Sequence, residues 1–277
     1  MNLKNPAYRA FVLLLAIILL GGCSLFGDEK DKTKGWSADK FYSKASKAMA
    51  DGDYTTAIKY YELLEARYPF GPQARQAQLD VAYAYYKSGD PDSAIAAADR
   101  FIQLNPDNPH AAYAYYLKGI ANFNRTLGFL ERFMPTDTSQ RDPQASLASF
   151  KDFSELVRKY PDSEYAEDAT KRLLYLRNNL ARHEIHVANY YMKRGAYVAA
   201  AERGDYVVKH YQKTPAVRDA LTIMATAYDR LGLTDLADDT RRVLALNAES
   251  GALIEDSNAS GGKSWGQRIW NFFGLDR

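Results

Sequence analysis

Stretches rich in Ala, Leu, Lys, Asp and Tyr run along most of the chain, and the same punctuation breaks them at regular intervals. Segments that end a helix recur as Ala66-Arg67-Tyr68-Pro69, Gln103-Leu104-Asn105-Pro106, Arg158-Lys159-Tyr160-Pro161 and Tyr211-Gln212-Lys213-Thr214-Pro215. Turn segments recur as Asp51-Gly52-Asp53-Tyr54, Ser88-Gly89-Asp90-Pro91, Arg194-Gly195-Ala196-Tyr197 and Leu231-Gly232-Leu233-Thr234. Gly52 to Gly89, Pro69 to Pro106 and Gly195 to Gly232 are each separated by 37 residues, and five residues after each of these glycines stands Ala57, Ala94, Ala200 or Ala237. The physics of the pattern is direct. Glycine allows a tight turn between antiparallel helices. The small alanine lets the two helices approach, and proline stops the second helix and starts the next unit. β-Branched runs are few, so the prediction is all-α.

A helix pair of this length with Gly, Ala and Pro at these offsets resembles the tetratricopeptide repeat. The predicted fold is a right-handed α-solenoid of about five helix pairs, over residues 38–69, 70–109, 110–161, 162–215 and 216–247. Repeats 1–2 span 38–109, repeat 3 spans 110–161 and repeats 4–5 span 162–247. Two units are stretched. The third carries an insert over 124–142, with Leu127, Phe129, Leu130, Phe133 and Met134. Such an insert either presents an apolar patch or folds back over the array. The fourth is expected to open with one unbroken helix from Asp162 to Arg194.

Stacked pairs make a superhelix whose concave face is lined by each unit's first helix. Counting from the Gly and Ala anchors places Gln76, Leu79, Tyr83, Tyr86 and Lys87 on that face in unit two, and Tyr113, Tyr116, Ile120 and Phe123 in unit three. The twin strings Tyr83-Ala84-Tyr85-Tyr86 and Tyr113-Ala114-Tyr115-Tyr116 are offset by 30 residues, and the shift of seven from the 37-residue period is two helical turns, so both point the same way. Tyrosine offers a large rigid contact area with a polar tip. A groove so lined suits an extended or aromatic-rich peptide; the competing reading packs these rings between helices.

The amino terminus carries a separate message. Lys4 and Arg9 precede the 11-residue apolar run Ala10–Leu20, which is too short for a bilayer span of about 20 residues. Leu20-Gly21-Gly22-Cys23 follows, and Cys23 is the only cysteine of 277 residues. One cysteine excludes an internal disulfide and a cysteine-rich zinc site. The four residues resemble the lipobox of bacterial lipoproteins. That resemblance implies removal of residues 1–22 and an N-acyl and S-diacylglycerol lipid on Cys23. Ser24 after the cysteine implies export to the outer membrane, facing the periplasm. Residues 23–37 read as a lipidated, flexible tether.

Charge and chemistry narrow the functions. Net charge is +2 and hydrophobic residues make up 47% of the chain, so it folds and carries no strong field for nucleic acid. His183-Glu184-Ile185-His186 puts two imidazoles on one helix face, without the spacing of a zinc protease or an evident third ligand. Gly262-Lys263-Ser264 ends like a phosphate loop but has Ser257 where the first glycine belongs, in a polar stretch. No catalytic cluster, metal site or cofactor is expected. The segment 248–277 reads as a polar linker and an aromatic tail in which Trp265, Ile269, Phe272 and Phe273 share one helical face. It can dock on a partner, lie on a membrane or cap the last repeat, and the sequence does not choose.

Taken together, the lipobox, the five repeats and a set of strings resemble the outer-membrane assembly lipoproteins of the BamD (ComL-type) family. The strings are Arg67-Tyr68-Pro69-Phe70-Gly71-Pro72, Gln78-Leu79-Asp80, Tyr83-Ala84-Tyr85-Tyr86-Lys87, Asp99-Arg100-Phe101-Ile102, Arg141-Asp142-Pro143, Asp168-Ala169-Thr170-Lys171-Arg172-Leu173 and Arg194-Gly195-Ala196-Tyr197-Val198-Ala199. The resemblance covers about 23–247; the segment 248–277 is longer than the family leads one to expect. It implies a non-catalytic scaffold of the β-barrel assembly machinery. The implied partners are a BamA-type barrel subunit, BamC-type and other lipoprotein subunits, and the carboxy-terminal signals of unfolded outer-membrane proteins. The candidate peptide contacts are Tyr68, Phe70, Tyr83, Tyr86, Tyr113 and Tyr116, and the candidate partner contact is Arg203. A tetratricopeptide lipoprotein serving peptidoglycan enzymes or a pilus, competence or secretion complex is the alternative.

Overall fold

In the computed structural model, residues 32–126 and 138–249 are described. Among them are ten α-helices, one 3-10 turn and no strand. The helices are α1 (Ala38–Ala50), α2 (Tyr54–Arg67), α3 (Pro72–Ser88), α4 (Pro91–Leu104), α5 (Ala111–Thr126), α6 (Gln144–Lys159), α7 (Ala166–Lys193), α8 (Tyr197–His210), α9 (Ala216–Arg230) and α10 (Thr234–Glu249). Each packs on the next, which makes five antiparallel pairs in a row. First helices of successive units also touch directly, α1 on α3, α3 on α5 and α7 on α9, as the inner side of a curved stack requires. The all-α repeat architecture expected from the sequence is the one observed.

The punctuation acts as the sequence implied. Gly89 ends α3 with φ +85°, and its N–H reaches back to the last carbonyls of that helix. Gly52, Gly195 and Gly232 share the left-handed conformation. Ala57, Ala94, Ala200 and Ala237 are fully buried where paired helices meet. Asp53 and Asp90 accept from the backbone N–H groups of Thr56 and Ser93, each at 3.0 Å, and so cap α2 and α4. Two glycines inside helices have another use. A Cβ on Gly119 would fall 2.4 Å from the Phe153 ring, and one on Gly204 would fall 2.6 Å from Met224 Cγ and 2.9 Å from the Ala220 carbonyl oxygen. Both mark places where helices press together.

Three expectations need correction. The long helix begins at Ala166, because Pro161 to Tyr165 form turns in which Ser163 N–H bonds the Tyr160 carbonyl at 3.1 Å. The start of the expected insert, Asn124 to Thr126, is still α5, since nothing there breaks the helix. Residues 32–37 are no free tether. Arg67 Nη1 donates to the Thr33 carbonyl at 2.8 Å and the Tyr68 hydroxyl to the Trp36 carbonyl at 2.6 Å. Trp36 also packs on Phe41 and Tyr60 at centroid distances of 5.3 and 5.6 Å. Cys23, the apolar insert residues and the aromatic tail lie outside the described residues.

The two histidines have a structural task. His183 Nδ1 lies 2.8 Å from the Ser139 carbonyl, and His186 Nε2 lies 2.9 Å from Ser139 Oγ. Ser139 sits in the turn Thr138–Gln140 and is 1% exposed. The imidazoles, one turn apart on α7, thus pin the returning end of the insert to the lengthened helix. Among the described residues, no group of three His, Cys, Asp or Glu is placed to hold a metal, and no helix is long and apolar enough to cross a membrane.

Candidate peptide-binding groove

The first helices bring a line of aromatic and acidic side chains together. Residues spaced three or four apart share a helix face. On α3 these are Gln76, Asp80 and Tyr83; on α5, Tyr113, Tyr116 and Ile120; at the head of α7, Tyr165, Asp168 and Arg172. Tyr42 adds the matching face of α1. Its hydroxyl donates to Asp80 Oδ2 at 2.8 Å, while Gln76 Nε2 donates to Asp80 Oδ1 at 2.9 Å. Burial pushes the Asp80 carboxyl above the usual carboxylate range, against those hydrogen bonds. The Tyr42 phenol is pushed up to about 12, by burial first and the Asp80 charge second.

The line continues across α5. Tyr113 is held well above the usual phenol range by burial, with Tyr83, Tyr165 and Asp80 adding to it. Tyr113 and Tyr116 both pack on Tyr165, at 5.4 and 5.0 Å between ring centroids. The Tyr116 hydroxyl donates to Asp168 Oδ2 at 2.8 Å, and Arg172 Nε donates to the same oxygen at 2.5 Å. Tyr83 and Tyr86 lie 6.4 Å apart, and Asn124 Nδ2 donates to the Tyr86 hydroxyl at 2.6 Å. Tyr83, Tyr86, Tyr113 and Tyr116 are all half-buried. The surface is therefore apolar in area, ringed by phenol edges, and acidic at two fixed points. It offers an extended chain flat faces for aromatic side chains and acceptors for N–H groups.

The middle tyrosines turn away. Tyr85 donates to Glu62 on α2, and Tyr115 is buried against Tyr160 with Lys159 Nζ 2.7 Å from its hydroxyl. Leu79 and Phe123, expected on the groove, are instead core residues, each 4% exposed. Leu79 joins the cluster between the first two units, and Phe123 packs on Tyr175 at 5.4 Å. Both errors come from helix drift: one residue is 100° of arc. Lys87 is exposed at the far end of α3, with its ammonium 6.0 Å from the Tyr54 ring.

Tyr68 and Phe70 occupy a separate corner, where α2 hands over to α3. Tyr83 stands eleven residues beyond Pro72, roughly 16 Å along α3. Tyr68 leans on Phe41 at 6.5 Å, and Phe70 is 90% exposed. Gly71 turns the chain there with φ +110°. Arg203 lies elsewhere again, on α8, where Nη1 meets Glu184 Oε2 of α7 at 3.0 Å. It is 44% exposed, and Tyr190, Val198 and Tyr206 are large exposed side chains on the same two helices. Tyr42, Asp80, Tyr165, Asp168 and Arg172 were not singled out for the groove by sequence. Their three-and-four spacing on first helices was the available signal.

Comparison with known proteins matches residues 35–244 to the YfiO family model, described as outer membrane lipoprotein. The outer membrane protein assembly factor BamD of Neisseria meningitidis serogroup A is 45% identical over 241 residues, covering 85% of this chain and 90% of the relative. BamD of Vibrio cholerae serotype O1 is 38% identical over 240 residues, covering 87% and 98%. BamD of Haemophilus influenzae is 34% identical, covering 87% and 91%. With the five helix pairs and this extent of identity, the chain belongs to the YfiO family of outer membrane lipoproteins, the family of the BamD assembly factors.

Proposed function

We propose that this protein is a non-catalytic scaffold for assembling β-barrel proteins into the outer membrane, held there through acylated Cys23. The observation that carries the reading is the tyrosine line running over the first helices of four units, from Tyr42 through Tyr83 and Tyr113 to Tyr116 and Tyr165. Unfolded barrel chains expose alternating aromatic and polar residues in extended form. A rigid aromatic surface with fixed acceptors suits such a segment at low entropic cost. Tyr68 and Phe70 offer a second contact at the separate α2–α3 corner. The exposed surface around Arg203, on the fourth unit, is assigned to a barrel subunit of the BamA type, and BamC-type and other lipoproteins join the same assembly. Membership of the family of assembly factors supports the assembly role.

The test is to extract the acylated protein from membranes in mild detergent and identify what accompanies it by mass spectrometry. A BamA-type barrel subunit in near-stoichiometric amount is the expected result. Its absence, with a pilus component or a wall enzyme in its place, would overturn the assignment.

A further inference from the structure

Basic side chains line one helix at the amino-terminal end of the solenoid. Residues 32–47 hold five lysines and one aspartate, while the tether before them carries Asp28, Glu29 and Asp31 beside Lys30. Lys40, Lys44 and Lys47 follow one another at spacings of four and three, so they form a single stripe along α1, and all three are exposed. Lys32 and Lys34 are exposed just before it. The face of α1 about a quarter turn away, with Phe41, Ala45 and Ala48, is buried in the first unit. Within the described residues the stripe is only partly offset. Asp39 accepts from Gln73 of α3 at 2.7 Å, and Lys40 Nζ stands 4.6 Å from the Trp36 ring centroid. Lys47 meets Asp51 at 3.1 Å, but both are well exposed and such a pair is weak. Among the described residues, Lys40 and Lys44 form no ion pair.

The stripe sits beside the point where the chain leaves for its anchor. The Thr33 and Trp36 carbonyls are held by Arg67 and Tyr68, so slack in the tether ends at Thr33. From Cys23 to Thr33 are ten residues, a reach of at most about 36 Å. Electrostatic attraction to a charged surface fades within a Debye length of about 10 Å, so a basic patch acts on a membrane only if something delivers it there. The short tether keeps this one within about 36 Å of the anchor, so it meets the surface at high local concentration. We infer that the lysine stripe of α1, with Lys32 and Lys34, rests on anionic lipid headgroups of the leaflet that holds the acyl chains, and so fixes how the solenoid stands on the membrane. Lipid anchors and polybasic segments cooperate in this way in general. The stripe then faces the bilayer, and the groove face, with Tyr42 on the far side of α1, opens away from it.

The inference rests on the anchored reading of Cys23, and one experiment separates the two. The acylated full-length protein is reconstituted into vesicles of phosphatidylcholine alone or with a third phosphatidylglycerol. Solvent-exposed amines are labelled briefly, and the digest is read by mass spectrometry. Labelling of Lys40, Lys44 and Lys47 is expected to slow by roughly threefold or more on the anionic vesicles only, and to recover in high salt. Lys171 and Lys209, on the fourth unit, should label equally on both. Equal labelling of the α1 lysines on both vesicles, with the lipid mass present on the Cys23 peptide, overturns the stripe's role alone. An unmodified Cys23 peptide in the same digest overturns the anchor and the inference with it.

Discussion

Tyr116 of α5 and Tyr165 at the head of α7 stack with ring centroids 5.0 Å apart and planes 28° from parallel. They are 49 residues apart in the chain and belong to different units. The stack bridges the two stretched units, and it carries the aromatic line from the third into the fourth. The hydroxyl of Tyr116 is tied to Asp168 on the same helix head, which holds the ring at that angle.

Tyr165→Ala should therefore cost more than an exposed tyrosine would. Removing the stack and the second contact to Tyr113 is expected to destabilise by about 1–2 kcal/mol. Thermal unfolding would show it as a lowered midpoint with unchanged helical content at 20 °C or so. A midpoint equal to that of the unaltered protein would mean that the junction is held by other contacts.

Gly204→Ala separates propensity from packing. In an exposed helix the change would stabilise by up to about 1 kcal/mol. Here the new Cβ meets Met224 and the Ala220 carbonyl oxygen of α9. The side chain can move but the carbonyl cannot without bending α9, so a net loss of roughly 1–3 kcal/mol is expected. Adding Met224→Ala should fail to restore the loss. Chemical denaturation of the single and double variants decides it.

The histidine pair gives a local prediction. His183→Ala with His186→Ala removes both contacts to Ser139. Amide exchange in residues 138–143 should quicken by about tenfold, with exchange in α2 and α9 unchanged. Equal rates in the turn would show that it is held by its packing alone.

Asp80 gives a pH dependence. Burial raises its folded-state pKa above the ordinary value of 3.8, so the folded protein holds this proton more tightly than the unfolded chain does. Stability from this group is thus greatest at pH below the ordinary value and falls as pH rises through the raised one. The wild type should lose stability relative to Asp80→Asn as pH climbs from about 4 towards neutrality. A difference between the two that does not vary with pH would contradict the assignment.

What could be read from the sequence was what the chain encodes locally. Gly89 and Ala94 announce a turn and a close approach five residues on, and both do what their chemistry dictates. Tyr83 and Tyr86, and Tyr113 and Tyr116, come to lie along the first helices because helical spacing alone places them there. Leu79 and Phe123 went to the core because neighbouring helices, invisible to a period, covered them. Tyr165 could not be assigned, because its partners come from another unit across an interrupted repeat. The paired imidazoles read as an ordinary helix face and turned out to hold Ser139, a contact that only folding creates.

The most direct test of the central claim is the affinity of the acylated protein, in detergent, for a peptide from the carboxy terminus of a β-barrel protein. It should be measured beside Tyr83→Ala with Tyr86→Ala. The groove account predicts binding weakened by roughly tenfold or more in the double variant, with its helical circular dichroism unchanged. An unchanged affinity would contradict it and place the peptide elsewhere on the solenoid.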